Sequence, residues 1–179
     1  MITTQRLWLV PCTLAHFEAL GSGEAALAAM LQVEFDKDWL GFPDAASAMA
    51  PAHEFLKKNP TALGWWTYLF IHRQDNMLIG LGGFKGAANE VGMVEIGYAI
   101  ATSYQKRGLA TEAAHGMIEY AFSHPHVTRV DAHTLAEKNA STRVLEKSRL
   151  KYIAAINDPN DGNIWGWSIT RVEYVNARH

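Results

Sequence analysis

A strand, a turn and the start of a helix within residues 93–112 bring together groups that could bind an anion. The turn and helix start read Gln-Lys-Arg-Gly-Leu-Ala at residues 105–110. The first turn of a helix carries unpaired N–H groups and the positive end of the helix dipole, which together bind phosphates. Gly108 would allow close backbone approach, and Lys106 and Arg107 add positive charge. The segment predicts a phosphate site, although a glycine turn beside a solvated basic surface gives the same pattern.

The strand before this turn, residues 93–100, places one carboxylate on an otherwise bare face. Side chains alternate along a strand, so Glu95, Gly97 and Ala99 share a face that has little bulk. Such a face leaves room for a ligand. Glu95 is its only acid, which makes it a candidate general base. The alternative is a structural carboxylate that binds a nearby backbone group or an arginine.

The surrounding pattern predicts a mixed sheet that positions these groups. Helices are expected at residues 14–20 with Thr13 as the N-cap, at 24–35, at 45–58, from about 110 to 124, and after Asn139. Strands are expected at residues 7–11, 66–72, 77–84, 93–100, 128–134, 150–156 and 164–172. The helix from about residue 110 is long enough for a crossover, so the strands on either side of it can run parallel. We expect a single α/β domain, residues 1–179, with one mixed, mostly antiparallel sheet of about seven strands flanked by helices.

Composition narrows the class of protein. The formal net charge of −2 provides no basic face for nucleic acid. A single cysteine, Cys12, excludes an intramolecular disulfide and a cysteine-based zinc site. The N-terminal residues lack a signal-peptide core, and no apolar run has the length of a membrane span. We therefore expect a cytoplasmic protein with no nucleic-acid or membrane partner.

Other catalytic or binding sites are disfavoured. The glycines at residues 80–83 lack the spacing of a dinucleotide fingerprint, and the chain has no Gly-Lys pair for a phosphate-binding P-loop. His124 and His126 have no third ligand at a suitable offset, so no metal is expected. Asp131 and His133 share a strand face, but without a Gly-x-Ser-x-Gly elbow they indicate an ordinary surface pair rather than a hydrolase dyad.

Two motifs, taken together and in order, resemble a known family. Residues 105–113, Gln-x-x-Gly-x-Ala-Thr-Glu-Ala, preceded by Glu-Ile-Gly-Tyr at 95–98, are similar to the acetyl-CoA motif of the GNAT superfamily of N-acetyltransferases. Asn-x-Ser at 139–141, followed by Val-Leu-Glu-Lys at 144–147, is similar to a second block of the RimJ/RimL-type branch. That branch includes N-terminal acetyltransferases of ribosomal proteins. The resemblance in element order covers almost the whole chain.

The chain departs from this pattern in two places. The family usually has Gly-Phe after the Val-Leu-Glu-Lys helix, whereas this chain reads Ser148-Arg149-Leu150 and therefore lacks the glycine that ends such a helix. The spacing from Asn139 to Ser141 is also one residue shorter than in many relatives.

The resemblance implies a GNAT fold in which the strands beginning at residues 93 and 128 run parallel and splay apart, with acetyl-CoA between them. It implies cofactor contacts from Ala99, Ile100, Ala101, Gln105, Lys106, Arg107, Gly108, Leu109, Ala110, Thr111 and Asn139. Glu95 would act as the base, directly or through a water, and Ser141 would donate to the leaving sulfur. No metal is needed. The acceptor would enter opposite the cofactor, where Trp39, Phe42 and Trp66 form either an apolar wall or part of the core.

The activity implied is transfer of an acetyl group from acetyl-CoA to a primary amine by direct attack in a ternary complex. The amine would belong to a protein N-terminus or to a small molecule, and the protein would be a monomer or homodimer. Two alternatives stay open: a catalytically silent acyl-CoA-binding module, and an antibiotic or polyamine acetyltransferase of the same fold.

Overall fold

A computed structural model describes residues 1–40 and 45–177 and has the predicted α/β architecture. The helices are α1 (Leu14–Gly21), α2 (Glu24–Leu31), α3 (Ala45–Lys58), α4 (Leu109–Ser123), α5 (Ala140–Lys147) and α6 (Arg171–Asn176). The strands are β1 (Ile2–Thr3), β2 (Leu7–Pro11), β3 (Glu34–Phe35), β4 (Thr67–His72), β5 (Met77–Phe84), β6 (Met93–Ile100), β7 (Arg129–Leu135), β8 (Lys151–Asp158) and β9 (Gly162–Thr170). No helix in these described residues is long and apolar enough to span a membrane.

Several predicted boundaries need correction. The helix predicted at residues 24–35 stops at Leu31, because Gln32 adopts a left-handed φ of 56° and the next residues pair with β5. The strand predicted at 164–172 ends at Thr170, whose side chain caps α6. Among the described residues the sheet has nine strands rather than about seven, since β1 and β3 are two-residue strands that no alternating pattern marks.

The strand order is β1-β2-β4-β5-β6-β7-β9-β8, with β3 beside β5. Within residues 1–40 and 45–177, the parallel pairs are β3 with β5 and β6 with β7, and the second joins Met93–Ile96 to Arg129–Ala132. Beyond these residues, β6 stays paired with β5 as far as Ile100, while β7 stays paired with β9 as far as Leu135. Each strand follows its antiparallel partner, so a gap opens between β6 and β7.

The two faces of the sheet carry separate apolar cores. One core joins α4 and α5 to the inner faces of β6, β7 and β9, with Met117, Val94 and Val130 fully buried. The other core packs α1, α2 and α3 against β4 and β5, and no residue of β6 to β9 belongs to its buried set. The face of β6 that carries Glu95 is therefore not covered by α1, α2 and α3. Gly97 on that face is exposed, and a β-carbon there would meet nothing within 4 Å.

Helix α5 ends in the left-handed conformation even though no glycine is available. Arg149 has φ 66°, and the N–H of Leu150 donates to the carbonyl of Leu145 at 3.0 Å. This is the geometry that glycine usually supplies after a helix. Ser148, the C-cap, is buried, and its hydroxyl has no hydrogen-bond partner within the described residues. The missing glycine therefore changes the residue at this helix end, while the backbone still has the left-handed conformation and the hydrogen bond of such an end.

The replacement Arg149→Gly should raise the free energy of unfolding by roughly 0.5–1 kcal/mol. A left-handed L-residue costs about 1–2 kcal/mol, and glycine loses about 0.5–1 kcal/mol of that gain through its freer unfolded state. Urea denaturation measures the difference. Glu146→Gly, which makes a similar deletion at an exposed right-handed position of α5, should instead destabilise by about 1 kcal/mol. Equal losses in both variants would contradict the assignment.

Candidate active site

A cavity of about 690 Å³ lies where the end of β6 meets the first turns of α4 and α5. It is lined by Tyr98, Ala99, Ile100, Tyr104, Gln105, Lys106, Gly108, Leu109, Ala110, Thr111, Asn139, Ala140, Ser141, Arg143, Val144 and Lys147. The two sequence motifs, which are separated along the chain, therefore form the walls of one site. Of the residues predicted for the site, only Glu95, Ala101 and Arg107 do not line this cavity.

The loop before α4 presents a series of free backbone donors. Lys106 has φ 59° and Gly108 has φ 79°, so the chain turns twice in the left-handed region before the helix begins. In the described residues, the N–H groups of residues 106–111 have no hydrogen-bond acceptor. Donors of this kind, at the positive end of a helix, bind anions. The predicted phosphate loop thus has the geometry for a phosphate group.

The backbone of β6 alternates between β5 and the gap, which changes one expectation. The carbonyl of Glu95 accepts from the N–H of Lys85, and the N–H of Ala101 donates to Ile79 at 2.7 Å. Odd-numbered residues of β6 therefore face β5, and the backbone groups of Tyr98 and Ile100 face the gap. The resemblance implied pairing with the ligand along Ala99, Ile100 and Ala101, and of these three only Ile100 directs its backbone groups to the gap. Ala101 is fully buried with its N–H occupied, so Tyr98 and Ile100 are the available pair.

The loop before α4, residues 105–108, is called the anion loop below. A polar cluster that the sequence motifs did not reveal holds it in place. Glu112, in the first turn of α4, accepts from the Thr4 hydroxyl at 2.6 Å, from the Arg6 N–H at 2.6 Å and from Arg6 Nε at 2.7 Å. Arg6 Nη1 also donates to the carbonyl of Arg107 at 2.9 Å. The N-terminal segment thereby holds the loop through a loop carbonyl, and the loop N–H groups make no hydrogen bond to that segment. The contact joins residues 106 positions apart, so no local pattern indicates it.

Arg107 supports the loop rather than lining the cavity. Its guanidinium lies 4.6 Å from the ring centre of Tyr104. The Tyr104 hydroxyl donates to Asp75 at 2.7 Å, and burial together with this hydrogen bond raises the pKa of Tyr104 to about 12. His72 Nδ1 lies 3.0 Å from the same carboxylate. These contacts attach the loop to the β4–β5 turn.

Glu95 lies on the open face of the sheet, outside the cavity. Its Oε1 is 2.5 Å from Lys85 Nζ and 2.8 Å from His133 Nδ1. The carboxylate is thus paired with a lysine and a histidine, rather than with the backbone group or arginine considered from the sequence. Asp131 and His133 do not pair with each other, which corrects the predicted surface pair. Asp131 is buried and bound to Arg129 and Ser168 instead.

The α5 side of the cavity combines a capped helix with a tyrosine. Asn139 Oδ1 accepts from the N–H of Thr142 at 3.0 Å, as the predicted N-cap should, so one side of its amide is occupied by the helix. Ser141 borders the cavity in the first turn of α5. The Tyr98 hydroxyl donates to the carbonyl of Ser141 at 3.4 Å, and burial raises the pKa of Tyr98, which keeps the phenol neutral.

The sequence left two roles open for three aromatic residues, a wall of the acceptor site or part of the core, and the two that the structure describes belong to the core. Trp39 is fully buried and its Nε1 donates to Glu24 at 2.7 Å, so it belongs to the core. Trp66 packs against the same core and against Phe55, with ring centres 4.7 Å apart. Phe42 lies outside the described residues.

No group of three or more histidine, cysteine, aspartate or glutamate side chains suited to a metal occurs in the described part of the chain. His124 Nδ1 lies 2.9 Å from the carbonyl of Tyr120, and its ring packs on Trp65.

Comparison with known proteins identifies the family. Residues 6–151 match the Acetyltransferase (GNAT) domain. The uncharacterized N-acetyltransferase YjdG of Bacillus subtilis is 28% identical over 147 residues, which cover 82% of this chain and 87% of the relative. The chain belongs to the GNAT acetyltransferase family and is an acyltransferase.

Solved structures share the fold at low identity. A putative ribosomal-protein-serine acetyltransferase from Vibrio cholerae is 20% identical with a TM-score of 0.66, covering 94% of this chain and 96% of that one. RimL, a ribosomal L7/L12 α-N-protein acetyltransferase solved with coenzyme A, is 15% identical with a TM-score of 0.66, covering 95% and 97%. The aminoglycoside acetyltransferase AAC(6')-Ib with coenzyme A and kanamycin is 17% identical with a TM-score of 0.65, covering 97% and 99%.

The replacement Glu112→Gln should reduce stability at pH 7 by about 1–3 kcal/mol, because Arg6 loses a charged partner. Burial alone would raise the pKa of Glu112, but the bonds from Thr4 and Arg6 together lower it. A lowered pKa adds stability that is complete above the ordinary carboxylate range and is lost as pH falls through the folded value. The unfolding free energy of the variant should therefore decline less steeply on acidification.

Urea denaturation between pH 7 and pH 3 measures this dependence. Glu18→Gln, which alters an exposed carboxylate of α1, is the matched control and should keep the wild-type slope. A Glu112→Gln profile that coincides with wild type would remove this cluster as the anchor.

Proposed function

We propose that this protein is an acetyl-CoA-dependent N-acetyltransferase that transfers acetyl to a primary amine by direct attack in a ternary complex. One observation carries the proposal: a single cavity joins the free N–H groups of residues 106–111 to the unpaired edge of β6 at Tyr98 and Ile100. This is a site for a ligand with an anionic group at one end and an extended, hydrogen-bonding arm at the other.

The residues present fit acetyl-CoA, whose thioester supplies the acetyl group. The loop N–H groups would hold the diphosphate, with Lys106 adding charge at the cavity wall. Backbone groups of Tyr98 and Ile100 would pair with the pantetheine arm as a neighbouring strand would. The carbonyl of Ile100 already accepts from Gln105 Nε2 at 3.0 Å, which leaves its N–H and the backbone of Tyr98 for that arm.

Acetyl transfer from a thioester makes three demands on the protein. The attacking amine must lose a proton, the developing oxyanion needs a donor, and the departing thiolate needs a proton. We assign the first to Glu95, acting directly or through a water, because it is the carboxylate on the bare face of β6. The gap-facing N–H of Tyr98 or Ile100 is placed for the second. Ser141, at the cavity edge, is assigned the third. The proposed transfer requires no metal.

For the acceptor, we propose a protein N-terminal α-amino group, as in the RimJ/RimL-type branch. The paired motifs of that branch support this choice, as does the fold shared with RimL. A small-molecule amine is the alternative, since the fold is equally shared with an aminoglycoside acetyltransferase. An α-amino group is the easier nucleophile, because it loses its proton near pH 8 whereas a lysine does so near about 10.4.

Acetyl-CoA should stabilise the protein, and turnover should follow with a suitable amine. A ligand at a hundred times its dissociation constant adds about 2.7 kcal/mol, which appears as a rise in melting temperature. Release of free thiol with a panel of peptides and small amines measures turnover. The absence of a shift at millimolar acetyl-CoA would contradict the cavity assignment. A shift without thiol release across a broad panel would favour the silent binding module.

Glu95→Gln and Ser141→Ala should each lower kcat while leaving the dissociation constant of acetyl-CoA nearly unchanged. General acid–base groups contribute about 10²–10⁴-fold, so the losses should fall in that range. Glu90→Gln and Ser22→Ala change exposed residues of the same types outside the cavity lining and should behave as wild type. Wild-type kinetics at all pH values in Glu95→Gln would remove it from proton transfer, and in Ser141→Ala would reduce that serine to a helix-end residue.

A further inference from the structure

We propose that His133 Nε2 is the atom that accepts the proton of the acceptor amine, and that Glu95 is the positioning carboxylate that holds the imidazole. The inference rests on the proposed acetyl transfer and refines how Glu95 takes part in it. The starting observation is the contact of His133 Nδ1 with Glu95 Oε1 at 2.8 Å, between neighbouring strands of the sheet.

The contact fixes the histidine tautomer. An ionised carboxylate can only accept a hydrogen bond, so Nδ1 must carry the proton. The lone pair of the neutral imidazole is then on Nε2, which has no hydrogen-bond partner among the described residues. The Glu95 charge also stabilises the imidazolium that forms when Nε2 takes up a proton. This arrangement is that of a base oriented by a carboxylate.

The position of His133 follows from the strand register. Ala132 is the last residue of β7 that pairs with β6, so His133 is the first residue beyond the parallel ladder. Its side chain shares the open face with Glu95, and the neighbouring position on β6 is Gly97, where no side chain fills the space. His133 keeps 29% of its side-chain surface exposed, against 18% for Glu95. A substrate on the open face can therefore reach the imidazole more readily than the carboxylate.

Glu95 is a poor candidate for direct proton transfer because its Oε1 is already shared. Lys85 Nζ lies 2.5 Å from the same oxygen that binds His133. That oxygen is therefore occupied by two neighbours rather than open to a substrate amine. Neither Glu95 nor His133 is part of the cavity lining, so both would act from the open face beside it. The contacts of Glu95 suit it to orient His133.

The proton and bond changes balance with this assignment. The amine nitrogen forms a bond to the acetyl carbon, the carbon–sulfur bond breaks, and the amine proton moves to His133 Nε2. The thiolate leaves as a thiol by taking the proton of the Ser141 hydroxyl. The imidazolium then returns one proton to solvent and the serine recovers one from solvent, so no proton is gained or lost overall. The net change is amine plus thioester to amide plus thiol, with no external oxidant, reductant or proton.

Charged groups on β6, β7 and β8 and after the end of β5 surround the imidazole. Lys85 follows β5, Glu95 is on β6, and Asp131 lies two residues earlier on β7 in a pair with Arg129. Asp158 ends β8, and backbone hydrogen bonds from Asp161 and Asn160, with the charges of Lys85 and His133, lower the pKa of its carboxylate. Both signs of charge are present around the ring. Imidazoles change charge between about pH 5 and 8, and carboxylates in general near pH 4, so the two candidate bases give separable pH profiles.

The test compares His133→Gln, Glu95→Gln and the double variant, with His126→Gln as the matched control. Glutamine can still donate to Glu95 but cannot act as a base. Each single change should lower kcat about 100-fold or more, and the double variant should lose little beyond the larger single loss, because the two residues act as a unit. The acidic limb of the wild-type rate profile should disappear in His133→Gln, measured with one acceptor throughout. His126→Gln, on an exposed turn, should retain both the rate and the limb.

A second variant excludes a purely structural role. His133→Ala should bind acetyl-CoA normally and recover activity when imidazole is added, in proportion to the neutral fraction of the imidazole. Wild-type rates in His133→Gln, multiplied losses in the double variant, or no recovery with imidazole would overturn the assignment. Failure of the proposed function looks different: the wild-type protein itself would release no thiol with any acceptor, and the assignment would fall with it.

Discussion

The early end of the parallel ladder between β6 and β7 is the constraint on which the site depends. Only Met93–Ile96 and Arg129–Ala132 are joined, after which each strand continues with its own antiparallel partner. Backbone polar groups seldom stay unpaired in a protein interior. The backbone of Tyr98 and the N–H of Ile100 have no partner among the described residues, so this edge of β6 can bind a hydrogen-bonding ligand. The same divergence exposes Gly97 and brings His133 to the open face beyond the last paired residue.

The site also depends on the conformation of the anion loop, which the N-terminal segment stabilises although it is distant in sequence. The left-handed conformation of Lys106 costs backbone energy, and a free loop would relax into other conformations. Arg6 and Glu112 oppose this by binding both the loop carbonyl and the first turn of α4. Charge–charge contacts here are partly buried, so they are screened less by salt than surface pairs. The N–H groups of residues 106–111 are thereby preorganised to bind a ligand.

Much of the architecture was predictable because it is encoded locally. Period-two patterns located β5 and β6 at their true bounds, and the caps Thr13 and Asn139 marked where α1 and α5 begin. Local rules failed where the cause was not local. No residue type near Gln32 predicts a left-handed helix end. The end of α5 is likewise left-handed, with Arg149 where the family pattern has glycine.

The site was predictable in position but not in its contacts. The two motifs contain most of the residues that line the cavity, because those residues lie in short continuous segments. Which backbone groups face the gap depends on the register with β5, which placed Ala101 away from it. The partners of Glu95 and Glu112 come from other strands and from the N-terminus. Burial of Trp39 depends on packing by α1, α2 and α3 together. The sequence alone could therefore not decide between the two roles considered for it, a wall of the acceptor site and part of the core.

A crystal structure with coenzyme A tests the central claim most directly. The account predicts the pantetheine arm between β6 and β7, hydrogen-bonded to the backbone of Tyr98 and Ile100, and the diphosphate against the N–H groups of residues 106–111. Coenzyme A bound elsewhere, or β6 and β7 hydrogen-bonded to each other as far as Ile100, would contradict it.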